Sequence, residues 1–233
     1  MKLKSYLPTK IYEPLISFYN RYIAKHYQKS YAQQGEDIVL QRILLGFDKG
    51  FYVDIGAHHP KRFSNTYFYY KKGWCGINVE PNPNAKKLFD KIRPRDINLE
   101  IPISDKEEEL IYYMFNDPAL NGFSKDISDE VKELKDYRII GTMKMKTRTL
   151  SNILDEYLPR GQKIDFFSID VEGFDLKVLN SNDWEKYNPT VILVEDKEFE
   201  INDPSDSSIY RFLSSKNYMP IAKTFNTLIF KIK

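Results

Sequence analysis

At 233 residues, 42% of them hydrophobic and 15% aromatic, the chain is long enough to bury one sizeable core, as one domain or a domain with an appendage. Its 35 basic and 33 acidic side chains leave a formal net charge of +2, which argues against nucleic acid as a partner. The only cysteine, Cys75, cannot form an internal disulfide, and no window approaches the ~18 apolar residues of a membrane span.

The opening MKLKSYLPTKIYEPLISFYN breaks its apolar run with Pro, Thr, Glu and Asn, which makes a poor signal peptide and a cytoplasmic protein the default expectation. Residues 7–28 carry Ile11, Leu15, Phe18, Tyr22 and Ile23 near helical spacing, and a second helix is expected over residues 34–45. Then come FYVDI as a strand, RFSNTYFYYKK as a helix, CGINVE as a strand, PNAKKLFDKI as a helix and INLEIPIS as a strand, a βαβαβ order. ELIYYMF reads as an additional strand, NDPALNGFSKD as a turn-rich substrate loop, MKMKTRT as an exposed strand and LSNILDEYL as a helix. IDFFSID and TVILVE read as buried strands around a short helix, FDLKVLN. The final YMPIAKTFNTLIFKI reads as two strands joined near Phe225 and Asn226. Residues 1–30 are expected to form a helical extension and residues 31–233 the main domain.

A mostly parallel sheet binds ligands beyond the carboxyl ends of its strands, so the residues that end each strand are the informative ones. Asp54 closes the first, where a lone buried charge would be costly, and Gly56 and Ala57 let backbone approach a ligand closely. Glu80 closes the second, a little beyond the ~20-residue spacing at which an acid takes ribose hydroxyls in nucleotide-binding βαβ units. The stretch DIGAHH lacks the second and third glycines of a pyrophosphate-binding turn. That order favours an adenosyl ligand without phosphates, S-adenosylmethionine, over a dinucleotide; a bland turn is the competing reading.

The stretches AQQGEDIVL, GFYVDIGAHHPKRFSNTYFYYKKGWCGINVEPNP and KIDFFSIDVEGFDLKVLNSNDW together resemble the FkbM-type methyltransferases in order and spacing, over residues 33–195. The resemblance implies a seven-stranded Rossmann-like methyltransferase sheet, mostly parallel with a C-terminal antiparallel hairpin, that moves the methyl of S-adenosylmethionine to oxygen on sugars or polyketides. Ala32 stands where many members have Ser. By the same resemblance Asp54, Gly56 and Ala57 form the cofactor loop, Glu80 holds the ribose, and Ser104 with Asp105 lies beside the adenine. Gln33 and Glu36 are expected near the methionine end, and Asn65 and Thr66 near the same pocket; Asp170, at the end of its strand, is expected to bind the cofactor too.

A hydroxyl acceptor is a weak nucleophile until its proton is removed or its charge is held by a metal. His58 or His59, with a reference pKa of about 6.5, suits the base, and Asp170 shares the catalytic end; the alternative is that the histidines cap the following helix. Asp170, Glu195 and Asp196 offer the oxygen ligands of Mg²⁺ or Mn²⁺, with iron open if a histidine joins; the alternative is that they are hydrogen-bonded or paired with a lysine. Glu172 and Asp175 either favour the start of a helix or touch substrate. Trp74 and Trp184 read as packing residues and Cys75 as an inert buried thiol.

The resemblance implies a sugar acceptor, nucleotide-activated or part of a capsular or surface glycan; the Lys, Ile, Tyr and Asn content fits an AT-rich bacterial genome, for whose products surface glycans are a natural destination. Contacts to it are expected from residues 116–125, Lys61 and Arg62. Two other classes stay open, a nucleotide-dependent oxidoreductase or epimerase and a glycan-binding module without turnover. The aromatic face of the N-terminal helix could cover its own domain, pair two subunits as a homodimer or lie on a membrane, the last least favoured by its modest basicity.

Overall fold

The computed structural model describes residues 8–23, 28–123 and 136–233. Residue 7 and residues 24–27 of the expected first helix, and residues 124 and 125 of the expected substrate loop, lie outside the described residues. Helix α1 (Thr9–Phe18) runs on into a π-helical turn (Tyr19–Ile23), and α2 (Glu36–Ile43) precedes the sheet.

The main sheet has seven strands: β1 (Phe51–Ile55), β2 (Cys75–Val79), β3 (Ile97–Leu99), β6 (Phe166–Ile169), β7 (Val191–Glu195), β8 (Tyr218–Lys223) and β9 (Thr227–Ile232). Their spatial order is β3-β2-β1-β6-β7-β9-β8. The first five are parallel, and β9 runs antiparallel between β7 and β8. FYVDI, FFSI and VILVE are buried at every position because helices cover both faces, which is why they are unbroken apolar runs rather than alternating ones. Phe51, Val53 and Ile55 face one core with α5 (Leu150–Tyr157), α6 (Asp175–Asn180) and α7 (Ser208–Ser215), while Tyr52 faces the other core with Tyr69, Trp74 and Phe166.

Three elements differ from expectation. INLEIPIS pairs in the sheet only over Ile97–Leu99; Pro102 cannot donate to a ladder, and Ile103 instead bridges Arg148. RFSNTYFYYKK is helical only as α3 (Tyr67–Lys71), because Phe63 has a left-handed φ of 55° and the chain must turn before it can coil. MKMKTRT is a strand only to Lys146, as the end of β5 (Ile139–Lys146), which pairs with ELIYYMF, a strand as expected (β4, Glu109–Phe115), in a separate two-stranded sheet. Helix α7 was not foreseen: its Ile209 and Leu213, four residues apart, are buried, and Ser207 Oγ accepts from Tyr210 N at 2.9 Å as its cap. Helix α4 (Ala85–Ile92) completes the layer beside β3. Trp74 is a core residue and Trp184 donates its indole N–H to Leu179 O, as packing residues do.

Candidate functional site

The chain crosses from β1 to β2 and β3 on one side and returns to β6 on the other, so the strand order switches between β1 and β6. A cleft opens at that switch point, beyond the strand carboxyl ends. Gln33, Asp54, Gly56, His58, Glu80 and Asp170 line it, together with Ala57 and Asn65.

The floor is set by Gly56. With φ at +77°, it packs so tightly that a Cβ there would stand 1.7 Å from the Asp170 carbonyl oxygen. The Gly56 and Ala57 amides both donate to Val79 O, at 2.9 and 3.2 Å, and so are not presented to an anion. Glu80 is buried and accepts from His58 N at 2.6 Å and Asn82 N at 2.9 Å; burial still pushes its carboxyl up to about 7. Each of its oxygens keeps lone pairs for a further donor.

The two histidines separate. His59 Nδ1 accepts from the Lys61 and Arg62 amides, each at 3.0 Å, and so caps the following turn. His58 has a left-handed φ of 49°, lines the cleft, stacks on Phe63 at 6.2 Å, and buries an Nδ1 without a partner. Burial, with Arg62 and His59 adding to it, pulls the His58 imidazole below its ordinary value and keeps it neutral.

Asp170 Oδ1 is likewise buried and unpartnered, and burial together with Glu195 and Glu172 holds this carboxyl well above its usual range. Oxygens of Asp170, Glu172 and Glu195 lie within 4.8 Å of one another. Asp196, expected in that group, turns away: its Oδ2 accepts from Ser207 Oγ at 2.5 Å and its Oδ1 from Glu198 N at 3.2 Å. Lys197 Nζ stands between Glu195, at 3.0 Å, and Glu172, at 3.3 Å, and supplies a cation to the cluster. Asp175 is a turn-former; it accepts from the Val171 and Gly173 amides, and its carboxyl is pushed up to about 7, chiefly by burial.

Other expected residues act from behind the wall. Thr66 is fully buried and donates to Asp54 Oδ2 at 2.5 Å, while Asn65 lines the cleft and donates to Ser168 Oγ at 3.1 Å. Glu36 is buried and holds Gln34 N and Thr224 Oγ1, leaving Gln33 to reach the cleft. Ser104 is buried and donates to Asp105 Oδ1 at 3.1 Å; Ile101 and Ile103, not this pair, form the wall there. Lys61 and Arg62 are exposed, the latter with its guanidinium 4.4 Å from the Phe63 ring centroid.

Two residues were missed. Asn82 Oδ1 accepts from Tyr112 and Asn121 and its Nδ2 donates to Pro118 O, fastening the 116–121 loop over the cleft. Its place in the EPNP turn directly after Glu80 is the signal that could have found it. Arg93 is fully buried, pairs with Asp96 at 2.7 Å, and donates to Thr66 Oγ1 at 3.0 Å and Tyr52 OH at 2.7 Å. In KIRPRD it reads as one more surface cation, and nothing local marks it.

A family model described as "Methyltransferase FkbM domain" matches residues 54–220, from the aspartate at the cleft floor to the middle of β8. The chain belongs to the FkbM methyltransferase family. Membership carries S-adenosylmethionine as methyl donor, so this FkbM chain is an S-adenosylmethionine-dependent methyltransferase. No curated protein matches it. Among solved structures it is similar to a methyltransferase from Geobacter sulfurreducens at 10% identity and TM-score 0.44, covering 99% of this chain and 93% of that one. It is similar also to the precorrin-6y C5,15-methyltransferase from Geobacter metallireducens, at 14% identity and TM-score 0.44, covering 88% and 93%. A third is the O-methyltransferase from Bacillus cereus in complex with SAH, at 11% identity and TM-score 0.37, covering 98% and 93%. No helix among the described residues is long and apolar enough to cross a membrane.

Proposed function

We propose that the FkbM domain transfers a methyl group from S-adenosylmethionine to a sugar hydroxyl, with a nucleotide-activated sugar or a surface-glycan precursor as acceptor. The observation that carries the reading is the meeting in one cleft of Glu80, held by two backbone amides, with a neutral His58 whose Nδ1 has no partner.

The cleft fits the donor. Glu80 has lone pairs for two ribose hydroxyls, the Gly56 and Ala57 amides are turned to Val79 as suits a ligand without a pyrophosphate, and Ile101 and Ile103 offer an apolar wall to the adenine. The bound donor supplies an electrophilic methyl on a sulfonium. His58 takes the hydroxyl proton, since its imidazole is uncharged at neutral pH. Burial and its carboxylate neighbours push the Asp170 carboxyl upward, and its unpartnered Oδ1 is placed to hydrogen-bond the acceptor. The 116–121 loop, latched by Asn82, limits water at the reacting centre. The single Lys197 ammonium offsets only one of the Glu172 and Glu195 charges, so with Asp170 the cluster keeps carboxylate oxygens for a divalent ion such as Mg²⁺ or Mn²⁺, and activity is expected to fall after dialysis against a chelator and to return with added metal.

The test is transfer of labelled methyl from S-adenosylmethionine to a panel of free, phosphorylated and nucleotide-linked sugars. Label on a sugar oxygen supports the proposal; label only on amines or thiols of a parallel panel contradicts it.

A further inference from the structure

We infer that α1 and its π turn form an interfacial helix that binds a bilayer surface bearing anionic headgroups. The inference rests on charge and exposure at the N-terminal end and is independent of the acceptor.

Ile11, Leu15, Phe18 and Tyr22 follow one another at intervals of four, three and four residues, the spacing of a single helical face. Their exposures are 51%, 55%, 56% and 68%, and no residue of α1 or of the turn is buried. Glu13, Ser17 and Asn20 take the opposite face at the same periodicity. A contiguous stripe of large apolar side chains left in water is a binding surface or a liability.

Charge chooses the occupant. Residues 1–29 hold six basic side chains, Lys2, Lys4, Lys10, Arg21, Lys25 and Lys29, against one acid, Glu13. Residues 30–233 hold the other 29 basic groups and 32 acidic ones, so the segment carries +5 and the remainder −3. The modest net charge of the whole chain therefore conceals a basic, amphipathic end on an acidic body. Pairing this helix with the same helix of a second copy would bring two such segments together, and like charges oppose that. An anionic bilayer satisfies both halves of the pattern at once: the apolar stripe enters the headgroup boundary, where tyrosine rings are at home, and the Lys and Arg heads meet lipid phosphates. Neither signal alone anchors a protein firmly; the two together do.

The experiment is co-sedimentation of the full chain with phosphatidylcholine vesicles and with vesicles that also contain phosphatidylglycerol. Expected is roughly tenfold more binding to the anionic vesicles, weakened by raised salt and lost in a Leu15→Glu/Phe18→Glu double variant. S-adenosylhomocysteine titration of that variant is the folding control, since neither residue lines the cleft. Equal or absent binding to the anionic vesicles, or binding retained by the double variant, overturns the inference. So does a dimer in sedimentation velocity that the double variant dissociates, because the stripe would then be a subunit interface.

Discussion

Gly56 and Asp170 meet backbone to backbone, the end of β1 against the end of β6, with room for a hydrogen but not for a methyl between them. That contact closes the floor of the cleft at the point where the strand order switches. Replacing Gly56 with Ala adds a clash to a φ of +77° that L-residues avoid, and is expected to cost more than about 3 kcal/mol of stability together with cofactor binding. Urea unfolding of the apo chain measures the first and calorimetry the second.

The separation of the histidines makes their variants unequal. His58→Ala is expected to lose turnover by about 10²–10⁴-fold while still binding S-adenosylhomocysteine. His59→Asn, which keeps a side-chain acceptor for the Lys61 and Arg62 amides, is expected to stay near the parent rate. A steady-state comparison in which His59→Asn is the damaged variant and His58→Ala is not would reverse the roles.

Glu80 gives a pH signature. Its folded carboxyl stands at about 7 against an ordinary 4.5, so the unfolded chain ionises first as pH rises. The stability tied to this group is therefore full below pH 4.5 and is lost progressively up to about pH 7, on the order of 3 kcal/mol. Apo chain measured by thermal unfolding from pH 4.5 to 8 should fall across that window relative to Glu80→Gln. Ribose hydroxyls donating to the carboxylate favour its charged form, so cofactor binding near pH 6 should release protons, seen as a buffer-dependent heat.

Arg93 supports the cleft from beneath. Arg93→Met leaves Asp96 charged and buried with only neutral donors, and removes the hydrogen bond to Thr66 that steadies Asp54. The expected loss is about 3–5 kcal/mol in chemical denaturation. A change within experimental error would mean that the pair is dispensable.

The strands carrying the cleft were readable because parallel strands buried on both faces leave long apolar runs, and Asp54, Glu80 and Asp170 follow directly from where those runs stop. Side-chain direction was not readable. Asp196 sits beside Glu195 in sequence, yet successive residues at a strand end point opposite ways, so Asp196 meets Ser207 while Glu172, from the next turn, joins Glu195. Ser104 failed as a cleft residue for a similar reason, because Pro102 ends the ladder and the chain bends toward Arg148. Arg93 was hidden because an Arg three residues before Asp96 looks like an ordinary surface pair, while the partners that bury it, Asp54, Thr66 and Tyr52, are 27 to 41 residues away.

Glu80 is proposed to receive the ribose of an S-adenosyl ligand in this cleft, and the decisive measurement is calorimetric titration of S-adenosylhomocysteine into the parent chain and into Glu80→Ala. Binding to the parent is expected, with a loss of about 1–3 kcal/mol, roughly 5- to 150-fold in Kd, in a variant that stays folded. Equal affinity in the two, or no binding to the parent, would contradict it.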